Sequence, residues 1–172
     1  LEMVRIMSLG ISGFDSPVAL HSLPEAKASI QSIESVIFSF KEDEKLKSLI
    51  SKTCAYIDNN NEFNTFNRAD FITQYCIPIS KRIHEIQKEL KIKNNSNFES
   101  INFDYATVFE EGAFNVNYFA PSYNRNPSAT QIKLGEKLFS DTILSGDNSV
   151  SCITCHIPSE AYADHKPKAV QN

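Results

Sequence analysis

The chain has 172 residues, of which 41% are hydrophobic and 22% are charged, a composition typical of a globular protein that buries a sizeable core. Its formal net charge is −4 at pH 7, and its 17 lysines and arginines are outnumbered by 21 aspartates and glutamates, which argues against a nucleic-acid-binding protein. No apolar run approaches the roughly eighteen residues of a membrane-spanning helix, so no transmembrane segment is expected.

Three helices are predicted in the first sixty residues. The first spans Glu2 to Leu9. The second has Pro24 in its first turn, and its apolar residues recur at helical spacing from Ile30 to Phe40. The third begins among the acidic residues Glu42 to Glu44, whose charges favour a helix N-terminus, and it stops at the asparagines of positions 59–61.

A fourth helix has the most regular pattern. Its apolar residues alternate steps of four and three, the spacing of a bundle seam: Ile72, Cys76, Ile79, Ile83, Ile86 and Leu90. Asn67 with Asp70 three residues later resembles a capped start. Pro78 removes one backbone donor and predicts a kink or a break near Ile77. We therefore predict an all-α fold in which residues 1–93 form an up-and-down helical bundle.

The predicted bundle also holds two cysteines and two histidines. Cys54 and Cys76 fall on apolar stripes, so we expect buried core thiols, and a disulfide between them is the alternative. His21 and His84 are expected to be solvated or hydrogen-bonded rather than metal ligands. We expect this part of the chain to be a structural or docking extension.

An irregular connector rich in aromatic residues is predicted from 94 to 127. Its aromatic side chains are Phe98, Phe103, Tyr105, Phe109, Phe114, Tyr118, Phe119 and Tyr123. Aromatic rings bury large areas, so we expect this cluster to cover the bundle. Covering a cofactor bound by the last part of the chain is the alternative.

The last part, residues 128–172, contains Cys152-Ile153-Thr154-Cys155-His156, the C-x-x-C-H sequence to which c-type haem is attached. Thiols three positions apart can add to the two vinyl groups of one porphyrin, and the adjacent imidazole then binds the iron as its proximal ligand. Two other interpretations stay open. The pair Cys152 and Cys155 could be a redox-active disulfide, or the motif could hold zinc together with His165.

Further sequence blocks surround this motif. They are LGEKLFSD at 134–141, LSGD at 144–147, SC at 151–152 and AYAD at 161–164, preceded by AFN at 113–115 and YFAP at 118–121. From about residue 113 to 168 the chain thereby resembles the di-haem cytochrome c peroxidase and MauG-like family, in which LG-x-x-LF-x-D, LSG-D/N, SC-x-x-CH and A-aromatic-x-D recur. His165 departs from the pattern, because the family commonly has glycine after the aspartate.

The resemblance implies a first c-haem domain, of which residues 128–172 are a part, with Cys152 and Cys155 bonded to the haem and His156 on the iron. Phe139 and Leu144 are the side chains expected to touch the porphyrin. The family carries a second haem that relays electrons to the first. The chain reaches Asn172 sixteen residues after His156, so we expect the second haem and the distal catalytic residues to lie outside it, and this chain alone to be inactive.

The activity implied for the intact protein is reduction of hydrogen peroxide, or its use as an oxidant. Electrons would come from a small donor protein such as a cytochrome or a cupredoxin. Because c-type haem is generally attached outside the bacterial cytoplasm, we expect a periplasmic or cell-envelope location, although no signal peptide is visible at Leu1. A mono-haem electron-transfer module without peroxide chemistry is the alternative function.

Overall fold

The structure is a computed structural model of the chain, and it describes residues 1–14, 16–93 and 100–164. Over these residues the chain is mostly helical and has no β-sheet, so the prediction of an all-α fold is confirmed. No helix of the described part is both long and apolar enough to cross a membrane. The chain divides into two compact units, Leu1–Val116 and Asn117–Asn172.

The first unit contains the four predicted helices. Their bounds are α1 at Glu2–Arg5, continued as a π-helix at Ile6–Gly10; α2 at Ser22–Phe38; α3 at Glu44–Asn59; α4 at Arg68–Asp70, continued as a π-helix at Phe71–Cys76; and α5 at Ile77–Glu89. A short helix α6, Val116–Phe119, spans the point where the two units divide. The N-terminus of α4 is capped as predicted, because the Asn67 side chain accepts a hydrogen bond from the Asp70 N–H.

The irregularity predicted near Ile77 is present. The π-helical turn ends at Cys76, α5 starts at Ile77, and Pro78 lies in the first turn of α5. Proline has no N–H to donate to the preceding turn, so a regular α-helical ladder cannot run unbroken through this position. The helical pattern therefore changes at the proline.

The apolar stripes of these helices meet in one core. Its buried members are Met3, Ile6, Met7, Ile11, Leu23, Ala26, Ile30, Leu46, Ile50, Ile57, Phe66, Phe71, Cys76, Ile79 and Ile86. Phe71 is the largest fully buried side chain, and its ring lies 5.1 Å from that of Phe66 and 6.2 Å from that of Tyr56, between centroids. Cys76, Ile79 and Ile86 of the predicted seam are buried in this core because they share one face of the helix. Ile72 and Ile83 are partly buried, whereas Leu90 at the end of the seam is 37% exposed.

Both cysteines of this unit are free thiols. Cys76 is fully buried, and burial raises the pKa of its thiol to about 12. Cys54 is half-buried at the edge of the core, where burial also raises its thiol pKa. The prediction of a core thiol is confirmed for Cys76.

A charged clamp joins α3 to α5. The Asp43 carboxylate caps α3 by accepting a hydrogen bond of 2.8 Å from the Leu46 N–H, and it accepts two more from Arg82, of 2.5 and 3.0 Å. Arg82 also pairs with Glu85 and Glu89. The Arg82 guanidinium, followed by the Leu46 N–H, lowers the pKa of Asp43 to about 2.

The connector covers the bundle only in part. The described residues from 100 to 116 form turns closed by an antiparallel bridge between Ile101 and Phe114. Phe103 and Tyr105 line a half-open cavity together with Met3, Ile83 and His84. Two further aromatic residues of the first unit that were expected to cover the bundle are exposed instead: Phe109 and Phe114. Tyr118, Phe119 and Tyr123 belong to the second unit, where all three are exposed. Phe98 lies outside the described residues.

Candidate haem site

The second unit is built from one longer helix and several single turns. Helix α7 spans Ala129–Ser140, and 3₁₀ turns follow or precede it at Ser122–Asn124, Thr142–Leu144, Cys152–Thr154 and Pro158–Glu160. A capping box starts α7: the Ser128 hydroxyl accepts from the Gln131 N–H, and the Gln131 side chain accepts from the Ser128 N–H. Asp141 caps the next turn by accepting from the Ile143 N–H.

The C-x-x-C-H residues form one tight turn. The Cys152 carbonyl accepts hydrogen bonds from the N–H groups of Cys155, at 3.2 Å, and His156, at 2.9 Å. Ser151 and Thr154 form a second capping box around the same turn. Cys152 and Cys155 are exposed free thiols, and His156 is exposed beside them. The structure therefore places the three predicted site residues on one turn, open to a large group.

Asp147, the last residue of the LSGD block, stabilises the loop before this turn. The Asp147 carboxylate accepts hydrogen bonds from the Ser149 hydroxyl, at 2.6 Å, the Ser149 N–H, at 3.0 Å, and the Ser145 hydroxyl, at 3.0 Å. These bonds, first that from the Ser149 hydroxyl, lower the pKa of Asp147. The short D-N-S sequence is the signal for such a local turn.

His156 lies between a backbone carbonyl and an aromatic ring. Its Nδ1 atom is 3.1 Å from the carbonyl oxygen of Tyr162. The Phe139 ring is 6.5 Å from the His156 ring and 6.1 Å from the Tyr162 ring, between centroids. Phe139 thus lies next to His156, the predicted iron ligand. Leu144 lies on the turn after α7 and is 69% exposed.

Apolar side chains of the second unit lie open to solvent. None of the residues described from 117 to 164 is buried. Several apolar residues are at least 50% exposed: Phe119, Tyr123, Ile132, Leu134, Ile143, Leu144, Val150 and Tyr162. Exposed apolar surface next to two accessible thiols and an imidazole fits a large apolar group that is held covalently and ligated by His156.

The zinc interpretation has no support among the described residues. Over residues 1–14, 16–93 and 100–164, no three side chains of histidine, cysteine, aspartate or glutamate are grouped so that they could hold a metal ion. His165, the fourth residue of that interpretation, lies outside the described residues. A c-type haem needs no such cluster, because its thiols bond to vinyl carbons rather than to the metal.

Comparison with known proteins supports the haem interpretation. Residues 129–172 match the family model described as di-haem cytochrome c peroxidase. This segment of the chain is thus similar to the di-haem cytochrome c peroxidase family, as the sequence blocks predicted. The match begins at the first residue of α7 and contains the whole C-x-x-C-H turn.

Curated cytochrome-c peroxidases show the same similarity. IdrP2 of Denitromonas iodatirespirans is 48% identical over 40 residues, and IdrP1 of Pseudomonas sp. (strain SCT) is 50% identical over 40 residues. IdrP1 of Denitromonas iodatirespirans is 45% identical over the same length. Each alignment covers 23% of this chain and 11% of the relative. No solved structure matches the chain significantly.

Proposed function

We propose that the intact protein is a di-haem cytochrome c peroxidase that reduces hydrogen peroxide or uses it as an oxidant, and that this chain provides one of its c-type haem sites. One observation carries the proposal. The peroxidase-family match at residues 129–172 contains a single tight turn that exposes Cys152, Cys155 and His156 together. The names of the curated relatives support the same class of activity.

Each site residue then has a defined task. Cys152 and Cys155 would hold the porphyrin through their thiols, and His156 would ligate its iron. Phe139, already beside His156, and Leu144, on the exposed turn after α7, cover the porphyrin. When bound, the haem supplies a redox-active iron at which peroxide can be reduced.

The rest of the activity belongs to the intact protein. A second haem, a small electron-donor protein such as a cytochrome or a cupredoxin, and the distal catalytic residues complete the reaction in this proposal. The location is periplasmic or cell-envelope, where c-type haem is generally attached. The helical bundle, which has a core of its own, serves as a structural or docking extension.

Covalent attachment is the first test. The chain is produced with haem-attachment machinery, denatured in alkaline pyridine, and examined by absorption spectroscopy and by extraction into acidic solvent. We expect a c-type spectrum and no extractable haem. A Cys152→Ala/Cys155→Ala variant should lose all covalent haem. Cys54→Ala, which removes a half-buried thiol of the bundle, is the matched control and should keep it. Extractable haem in the unsubstituted chain would contradict the proposal.

Peroxide turnover is the second test. The full-length protein is mixed with a reduced donor and hydrogen peroxide, and peroxide consumption is compared with that of this chain alone. We expect turnover by the full-length protein, its loss when the second haem's ligands are replaced, and none by this chain. A haem-loaded full-length protein that consumes no peroxide would contradict the proposal and favour the alternative, a mono-haem electron-transfer module.

A further inference from the structure

A half-open cavity of about 240 Å³ lies within the first unit. Its walls come from α1 with its π-helical continuation, from α2, from α5, and from the turns between 101 and 108. Its apolar lining includes Met3, Met7, Ile33, Ile83 and Phe103. An apolar cavity of roughly 150 Å³ holds a benzene molecule, so this one has room for a single ring with a small substituent.

Helix α5 uses two faces, one for the core and one for the cavity. Ile79 and Ile86 are buried in the core. Ser80 and His84 lie on an adjacent face and line the cavity. Residues four positions apart lie one above the other on a helix, so the Ser80 hydroxyl and the His84 imidazole are neighbours at the cavity wall. Two polar groups are thus placed side by side in a mostly apolar space.

These two side chains make no hydrogen bond in the part of the chain that the structure describes. Ser80 is only 8% exposed. No described side-chain oxygen or nitrogen is sealed from solvent without a partner, so the Ser80 oxygen faces open space, and the cavity is the space that it lines. The Thr107 hydroxyl, on the same lining and equally buried, instead donates to the Glu110 carboxylate at 3.2 Å. Ser80 and His84 are therefore available to a ligand.

The charges around the cavity favour an uncharged ligand. Glu2 is the one carboxylate among the described lining residues, and it is paired with Arg5 at 2.7 Å. No described lysine or arginine lines the cavity. An ionised ligand would lose its hydration without gaining a counter-ion, which costs more free energy than an uncharged group that is hydrogen-bonded. A hydroxyl fits, because it can donate to the His84 imidazole and accept from the Ser80 hydroxyl.

We propose that this cavity binds a small, uncharged phenol. Its hydroxyl lies between His84 and Ser80, and its ring lies among Met3, Met7 and Phe103. Thioether sulfurs and aromatic rings both make favourable contacts with an aromatic ligand, beyond the area that they bury. The site goes beyond the proposed haem function, because every residue that forms it belongs to the first unit.

Methionine methyl groups make binding visible at the site itself. The chain has two methionines, and both line the cavity. The whole chain, haem-free and reduced, is labelled with ¹³C-methyl-methionine and titrated with phenol at about pH 8, where an ordinary imidazole is neutral and a phenol is protonated. We expect both methyl resonances to shift along one saturable curve, with a dissociation constant of about 1 mM or tighter, which a ligand of this size can reach. Shifts that do not saturate, or no shifts, would overturn the proposal.

Cyclohexanol tests whether the ring has to be aromatic. It has the hydroxyl and nearly the size of phenol, but it lacks the aromatic ring. It should bind about two- to tenfold more weakly than phenol, because it loses the contacts with sulfur and with the Phe103 ring. Equal affinities of the two compounds would contradict a site for phenols.

Matched substitutions test the two polar side chains, with toluene as the ligand that lacks the hydroxyl. His84→Leu and Ser80→Ala should each weaken phenol binding roughly three- to tenfold relative to toluene binding, the effect of one ordinary hydrogen bond. The comparison with toluene cancels changes in cavity size. His21→Leu, which removes an exposed histidine outside the lining, is the control and should leave both affinities unchanged.

The outcomes separate this site from the haem function. Circular dichroism checks that each variant stays helical, and Ser80→Ala, the smaller change, decides alone if His84→Leu disturbs the packing. A ratio of phenol to toluene affinity that Ser80→Ala leaves unchanged would overturn the hydroxyl site. Covalent haem in a chain that does not bind phenol would leave the proposed function intact. Phenol binding in a chain that never acquires covalent haem would be the reverse outcome.

Discussion

The two units of the molecule differ in how they use apolar surface. In the first, side chains from α1 to α5 form one core, and its largest members are fully buried. In the second, no residue described from 117 to 164 is buried, although isoleucine, leucine and tyrosine are present. The difference indicates that the first unit is stabilised by its own packing, whereas the described part of the second unit has no such core.

The reason is physical. Small units bury too little of their surface to offset the loss of chain entropy, and they commonly rely on disulfides, metals or bound groups. Local hydrogen bonds order the second unit's turns, as at Ser151 and Asp147, but they bring no apolar surface together. In the proposed function, two thioether bonds and contacts with the porphyrin provide the stabilisation that side-chain packing does not provide.

Thiol reactivity should differ most between the two units. It can be compared directly, because each unit has two cysteines. In the haem-free, reduced chain, Cys152 and Cys155 are exposed, whereas Cys76 is fully buried and burial raises its pKa to about 12. We expect Cys76 to be labelled at least about 1,000-fold more slowly than Cys152, because Cys76 reacts only when the first unit transiently unfolds. Alkylation followed by peptide mass spectrometry measures each rate.

The same experiment has two controls. In concentrated urea all four cysteines should react at similar rates, which shows that the contrast comes from folding. After haem attachment Cys152 and Cys155 should no longer be labelled at all. Equal labelling of Cys76 and Cys152 in the native chain would mean that the first unit has no stable core.

Truncating one phenylalanine in each unit should give the next largest contrast. Phe71 is fully buried beside Phe66, so Phe71→Ala should lower the free energy of unfolding by about 3–5 kcal/mol. Phe139 is only half-buried, so Phe139→Ala in the haem-free chain should cost less than about 1 kcal/mol. Urea denaturation followed by circular dichroism measures both. A comparable loss in the two variants would show that the second unit has a core without haem.

Sequence reasoning succeeded where the pattern reports burial. Helical periodicity predicted the apolar face of α5 because buried residues must recur on one face of a helix. The C-x-x-C-H residues lie on one turn, and their attachment to haem stays a prediction. The Tyr162 carbonyl had no signal, since every residue has a carbonyl and Ala161 is not a residue type that marks a left-handed turn. The Asp43–Arg82 pair was also missed, because its partners lie far apart in the chain.

The clamp between α3 and α5 should give the smallest contrast and a pH dependence confined to the first unit. Asp43→Asn keeps a side chain that can cap α3 but removes the ion pair with Arg82, so it should lower the free energy of unfolding by about 1–2 kcal/mol at neutral pH. Asp43→Ala should cost more, because the cap is lost as well. Ser128→Ala, which removes the cap of α7, is the control and should leave the first unit unchanged.

The direction in which the free energy of unfolding changes with pH follows from the lowered pKa of Asp43, which is about 2 in the folded chain. A depressed carboxyl pKa stabilises the folded state above the unfolded pKa of about 4, and this stabilisation is lost as the pH falls through 2. The difference between the unsubstituted chain and Asp43→Asn should therefore be constant from about pH 5 to 7 and shrink from pH 4 towards 2. Urea titrations across this range measure it. A difference that does not change with pH would contradict the role of the ion pair, because the difference would then not depend on the charge of the Asp43 carboxylate.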